Sequence, residues 1–152
     1  MSSITILPTK KADLVEISVR LRPADRAEFI ASTGRDPEEY FVPHLAKSAQ
    51  YTAFIGDKPV AVFGCTDAGP YGAPWLMGTK ELEGFEVARA MVRFGRTFFD
   101  AWAERYMCLR NLTYAHNHLH HKFIRALGAD LKDEIIHVGP RRSPFKEFTY
   151  SV

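Results

Sequence analysis

The spacing of apolar residues changes repeatedly along this chain, and each change marks a new element. Ile4-Thr5-Ile6-Leu7 alternates as a short strand does and stops at Pro8, which has no N–H to give a ladder. Residues 9–20 place Leu14 and Ile17, with Leu21 just beyond, on one side of a predicted helix. Pro23 stands where a second helix starts; Ala27, Phe29 and Ile30 supply its apolar side and Gly34 ends it. Asp36-Pro37-Glu38-Glu39 is another start signal: an N-cap, a proline at the first position, and acids near the positive helix end. Phe41, Leu45 and Ala46 follow at helical spacing, with Pro43 expected to break the helix early.

The period then drops to two. Tyr51–Ile55 and residues 60–63, joined by Gly56-Asp57-Lys58-Pro59, form the strongest local hairpin. Residues 73–77 read as a strand in which Pro74 argues for an edge or a bulge. Residues 81–106 make a long helix: Phe85, Val92, Phe99 and Tyr106 recur along one row, with Ala88, Gly95 and Trp102 as the companion row. A strand over 107–115, a helix from Asn117 to Leu127-Gly128-Ala129, and strands near 131–138 and 145–150 complete the chain. Strands alternating with helices predict an α/β fold, and the hairpin makes its sheet mixed. At 152 residues with 46% of them apolar, the chain can bury a core as one domain, 1–152.

Composition narrows the partners. A formal charge of +2 falls short of a nucleic-acid binder's footprint, so no nucleic acid is expected. Cys65 and Cys108 lie in apolar, strand-like runs and suggest no disulfide framework, hence a reducing compartment. No apolar run is long enough to span a bilayer, and Met1-Ser2-Ser3 opens no signal peptide. The expectation is a soluble intracellular protein, or one packed into a particle assembled there.

The segment from Asn117 onward says most. An Asn leads out of a strand, an amphipathic helix follows, and Leu127-Gly128 closes it, with Asn117 and Gly128 11 positions apart. This unit resembles the late β–α unit of the GNAT N-acetyltransferases, and the order of elements is similar to theirs across nearly the full length. The resemblance implies an α/β fold with a mixed, mostly antiparallel, splayed sheet flanked by helices, and acetyl-CoA or CoA as cofactor. The position of the family's tyrosine, a frequent general acid, holds Ile124. A narrower likeness lies in Pro74-Trp75-Leu76-Met77-Gly78-Thr79, the long helix, and residues 114–129. These are similar to the GNAT-like internal virion protein A family of short-tailed autographivirus phages, mainly over residues 75–134. That likeness implies a role in virion morphogenesis in the host cytoplasm or the virion, with phage structural or host proteins as partners.

GNAT enzymes hold the acyl-CoA pyrophosphate in a glycine-rich loop before the long helix, on free helix-start amides. The matching stretch here is Gly78-Thr79-Lys80-Glu81-Leu82-Glu83-Gly84, with its glycines at a different spacing. Met77, Gly78, Thr79 and Lys80 are the candidate cofactor contacts, Thr79 as N-cap and Lys80 as phosphate partner, with Asn117 beside the pantetheine arm. Glu81 and Glu83 favour instead an ordinary capped helix start. Tyr114 and His116, at a strand end facing the family's cofactor cleft, are the candidate proton-transfer residues. His116, His118, His120 and His121 invite a metal reading, but zinc asks for three or four ligands and no Cys or carboxylate stands beside them; they are read as solvent-facing. Arg89, Arg93 and Arg96 read as a solvated helix face, and Phe85, Phe99 and Trp102 as core. Two functions follow: a phage assembly protein whose acyl-CoA site is degenerate, or an acetyl-CoA-dependent N-acetyltransferase acting on an amine of a protein or small molecule.

Overall fold

The computed structural model describes residues 3–152. Strand β1 (Ile4–Pro8) leads into helices α1 (Lys11–Ser18), α2 (Pro23–Thr33) and α3 (Pro37–Leu45). Strands β2 (Tyr51–Ile55), β3 (Lys58–Asp67) and β4 (Gly72–Gly78) follow, then a 3-10 turn at Lys80–Glu83 and the long α4 (Phe85–Tyr106). Strand β5 (Cys108–Tyr114), α5 (His118–Ala126), β6 (Asp130–Leu131), β7 (Ile136–Val138) and β8 (Ser143–Ser151) complete the described order.

The strands make one open sheet in the order β1-β2-β3-β4-β5-β8-β6, with β7 also on β8. All pairings are antiparallel except β4 with β5, which run parallel and are joined in register only at Gly72 and Leu109. From that point the two strands part, so the sheet is mixed, mostly antiparallel and splayed at its centre.

Alternation along the strands separates two cores. Val62 and Met77 pack with Leu14, Ile17, Phe29 and Phe41 of α1–α3. Phe63 and Leu76, their neighbours in sequence, face Met91 and Phe98 of α4. Beyond the splay, Leu109 and Phe148 pack with Phe99 of α4, Ile124 of α5 and Leu127 at its end.

Several expected boundaries move. Pro43 does not break α3, because buried Phe41 and Leu45 hold the helix on either side of it. The long helix starts at Phe85 rather than at 81, since Lys80–Glu83 form a 3-10 turn first. Met107 (φ 69°) caps α4 instead of opening β5. The single strand expected over 131–138 is two short pieces, β6 and β7. Pro74 sits where β4 has left β5, and its carbonyl accepts from Asn111 Nδ2 at 2.9 Å. A ring nitrogen on that side costs no ladder bond. No helix among the described residues is long and apolar enough to cross a membrane.

Candidate functional site

The splay leaves the ends of β4 and β5 with backbone groups that have no strand partner, and α2 supplies one. Pro23 starts that helix just after Arg22, whose backbone N–H donates to the Gly78 carbonyl at 3.0 Å. Asp25 and Glu28, three apart, then lie on one face of the helix, turned toward the sheet. Asp25 Oδ2 accepts the Gly78 N–H at 2.8 Å. Glu28 Oε1 accepts the Tyr114 N–H at 3.0 Å. The Tyr114 carbonyl in turn accepts from the Asn117 N–H at 3.0 Å and lies 3.0 Å from His121 Nε2. Both backbone groups of both strand-end residues are therefore engaged.

The carboxylates are tied together from α5. Asn117, fully buried, turns its side chain inward rather than capping its helix. Its Nδ2 donates to Asp25 Oδ1 at 2.9 Å and to Glu28 Oε1 at 3.2 Å, and its Oδ1 accepts from the Arg22 guanidinium at 3.0 Å. Arg22 also meets Asp25 Oδ1 at 2.6 Å. His120 Nε2 lies 3.0 Å from the same oxygen, but off the line of a hydrogen bond, so charge rather than a directed bond holds that pair. His120 Nδ1 is 3.6 Å from Glu28.

Two buried carboxylates thus face two buried cations. Burial alone would raise the Asp25 carboxyl, but His120, then Arg22 and Asn117, outweigh it and hold it below its usual range. Burial alone would lower His120; Asp25 and Glu28 outweigh it and push the imidazole up to about 10. Burial lowers His121, which leaves a neutral ring whose Nε2–H donates to Tyr114.

Cavities flank this cluster on both faces of the sheet. On the α4/α5 side a cavity of about 90 Å³ is lined by Leu76, Phe98, Phe123 and Ile124. On the α1–α3 side a cleft of about 390 Å³ is lined by Phe29, His44, Met77 and Phe145. Glu28, Trp75, Asn111 and Leu112 border both.

No protein-family model and no curated protein matches the chain. Solved structures do. An acetyltransferase from Streptococcus agalactiae superposes with a TM-score of 0.68 at 13% identity, over 98% of each chain. Ard1 from Thermoplasma volcanium gives 0.68 at 12% identity, over 98% of this chain and 97% of that one. The ribosomal-protein-S18-alanine N-acetyltransferase from Escherichia coli gives 0.66 at 11% identity, over 99% and 94%.

The chain has the GNAT acetyltransferase fold. Within that fold, the residues expected at the cofactor site are partly gathered. Gly78 and Asn117 join one cluster, while Met77 is buried in the α1–α3 core. Thr79 is 1% exposed, and its hydroxyl points at the Val60 carbonyl and at Glu81. Lys80 is exposed. Glu81 is held by Thr79, Lys58 and Arg20, and the Thr79 hydroxyl leads in keeping its carboxyl down to about 2. Glu83 reaches Arg22 Nε at 3.3 Å. The approach to α4 thus carries two carboxylates, each already paired with a basic side chain. A thioester carbonyl seeking the Gly78 or Tyr114 amide would compete with a buried carboxylate for it. As folded, both strand-end amides already have a carboxylate acceptor.

The candidate proton-transfer pair is brought together, with Tyr114 and His116 rings 5.2 Å apart and His116 exposed. The solvent-facing reading of the histidines holds for His116 and His118 and fails for His120 and His121, which are 8% and 5% exposed. Their partners come from α2 and from a strand end, not from neighbours in sequence. Phe85, read as core, is 77% exposed, while Val87, two residues on, packs against the sheet. Arg22, Asp25 and Glu28 carried no sequence signal beyond acids on one helix face.

Proposed function

We propose that this chain uses the GNAT fold to bind rather than to acylate, as a phage protein of virion morphogenesis. The carrying observation is that the Gly78 and Tyr114 amides are bonded to Asp25 and Glu28. Removing one partner of a buried, hydrogen-bonded charge cluster costs about 3–5 kcal/mol. Opening the splay at a similar cost would weaken an acyl-CoA by roughly two to three and a half powers of ten, at about 1.4 kcal/mol per tenfold. The virion role rests on the likeness of Pro74 to Thr79 and of residues 114–129 to the internal virion protein A family. Phage structural or host proteins are the corresponding partners, in the host cytoplasm or the virion.

Calorimetric titration with acetyl-CoA and with CoA tests the reading. The expected result is no heat of binding at hundred-micromolar ligand. Micromolar binding that weakens in Lys80→Glu would instead support an N-acetyltransferase. In that reading Thr79 and Lys80 hold the pyrophosphate, Asn117 lies by the pantetheine arm, and Tyr114 or His116 carries the proton. The observation in its favour is the cavity beside Trp75 and Asn111, which lies at the splay where an acyl group would sit.

A further inference from the structure

The arginine row of α4 flanks a groove rather than open water. Between α4 and α5 runs a cleft of about 590 Å³ whose floor is Val92, Leu119, Phe123 and Ala126, with Phe85 at its mouth. Arg89, Arg93 and Arg96 line one wall and Lys122 the other. The helices close together at Gly95, where an added Cβ would come within 2.7 Å of a Leu127 methyl. Arg96 bonds the Ala126 carbonyl across the cleft at 2.9 Å, so it fixes the groove as well as charging it.

Charge is concentrated here. The chain's 20 basic and 18 acidic residues nearly cancel, yet this groove carries four cations. Glu86 is the one carboxylate between Phe85 and Arg96, and α5 has none. Among the described residues none of the four cations is ion-paired. Phe85 stands 77% exposed, a large aromatic with nothing over it in the free chain.

We infer that this groove docks an acidic amphipathic helix of a partner protein. Along α4 the groove runs from Phe85 to Arg96, about 16 Å, or three helical turns. Cations at i, i+4 and i+7 along one wall and a lysine on the other match a helix with an apolar stripe and acidic flanks. Phe85, at one end of the groove, is an exposed aromatic that such a partner would cover. The inference goes beyond the proposal above, because the groove and the closed splay are different surfaces.

The test uses the full chain and a fluorescent synthetic helical peptide of about 18 residues, with leucines at i, i+3, i+4 and i+7 and glutamates beside them. Anisotropy is expected to saturate with this peptide and not with the version carrying lysines in place of glutamates. Arg89→Glu with Arg93→Glu should weaken binding at least about tenfold, and Phe85→Ser should weaken it too. These side chains are exposed, so circular dichroism should show each variant folded like the parent. Equal binding of the two peptides, or no loss in the arginine variant, overturns the inference. So does displacement of the peptide by adenosine 3′,5′-bisphosphate at equal concentration, which would assign the groove to a small phosphate ligand. An acyl-CoA titration reads the splay and anisotropy reads the groove, so either proposal can fail without the other.

Discussion

A carboxylate with no contact with water must have its charge answered from every side, and Asp25 is answered by a guanidinium, an imidazole, an amide side chain and a backbone N–H. Asp25→Ala takes from the buried Arg22 and His120 the nearer of the two carboxylates each faces, so urea denaturation should show a loss of about 3–5 kcal/mol. Gly128 presents a different constraint. Its φ of 90° is a conformation β-branched residues rarely adopt, and an added Cβ would meet nothing closer than 3.7 Å. Gly128→Val should therefore cost about 1–3 kcal/mol through backbone strain alone. An unchanged melting temperature would contradict the positive φ. These two residues mark what a sequence discloses. Gly128 is legible because a helix end writes itself in neighbouring residues. Asp25 is not, because its meaning depends on Asn117, 92 positions away.

At the level of elements, α2 and α5 meet across the splay through side chains alone, and their attachment should depend on pH. His120 on α5 has its folded pKa raised from 6.5 to about 10, after Asp25 and Glu28 of α2 outweigh the burial that would lower it. A raised cationic pKa contributes stability that is complete below about 6.5 and is lost as pH climbs through about 10. Thermal melts should therefore fall steadily between pH 7 and pH 10. His120→Gln should start lower at pH 7 and show a flatter alkaline slope. An equal slope in both proteins would place the titration elsewhere. On the acid side the sign reverses: Asp25, with a depressed pKa, contributes stability above its usual 3.8 that is lost as pH falls. The elements themselves were readable from periodicity, including α2 between Pro23 and Gly34. The way α2 crosses the splay was not, since amphipathic spacing says that a face is buried but not against what.

Across the described residues, the two halves of the sheet are joined by the backbone pairing of Gly72 with Leu109, by the bond from Asn111 to Pro74, and by Arg110 over the Tyr71 ring. The carboxylate cluster is the remaining seam between them. If the seam closes the splay, the Gly78 and Tyr114 amides should exchange with solvent slowly, like ladder amides, although neither has a strand partner at the splay. Glu28→Ala removes the acceptor for Tyr114 and leaves the acceptor for Gly78 in place. Losing one buried charged acceptor is worth about 1–3 kcal/mol, which predicts exchange at Tyr114 faster by roughly 5- to 150-fold. Gly78 and core amides such as Val62 should speed up together and by less, reporting only the general loss of stability. Uniform acceleration at all three would mean that the seam opens with global unfolding and that the splay has no local motion of its own. Fast exchange at Tyr114 in the parent protein would mean that the splay is already open, and the acyl-CoA reading would regain its strand-end amide.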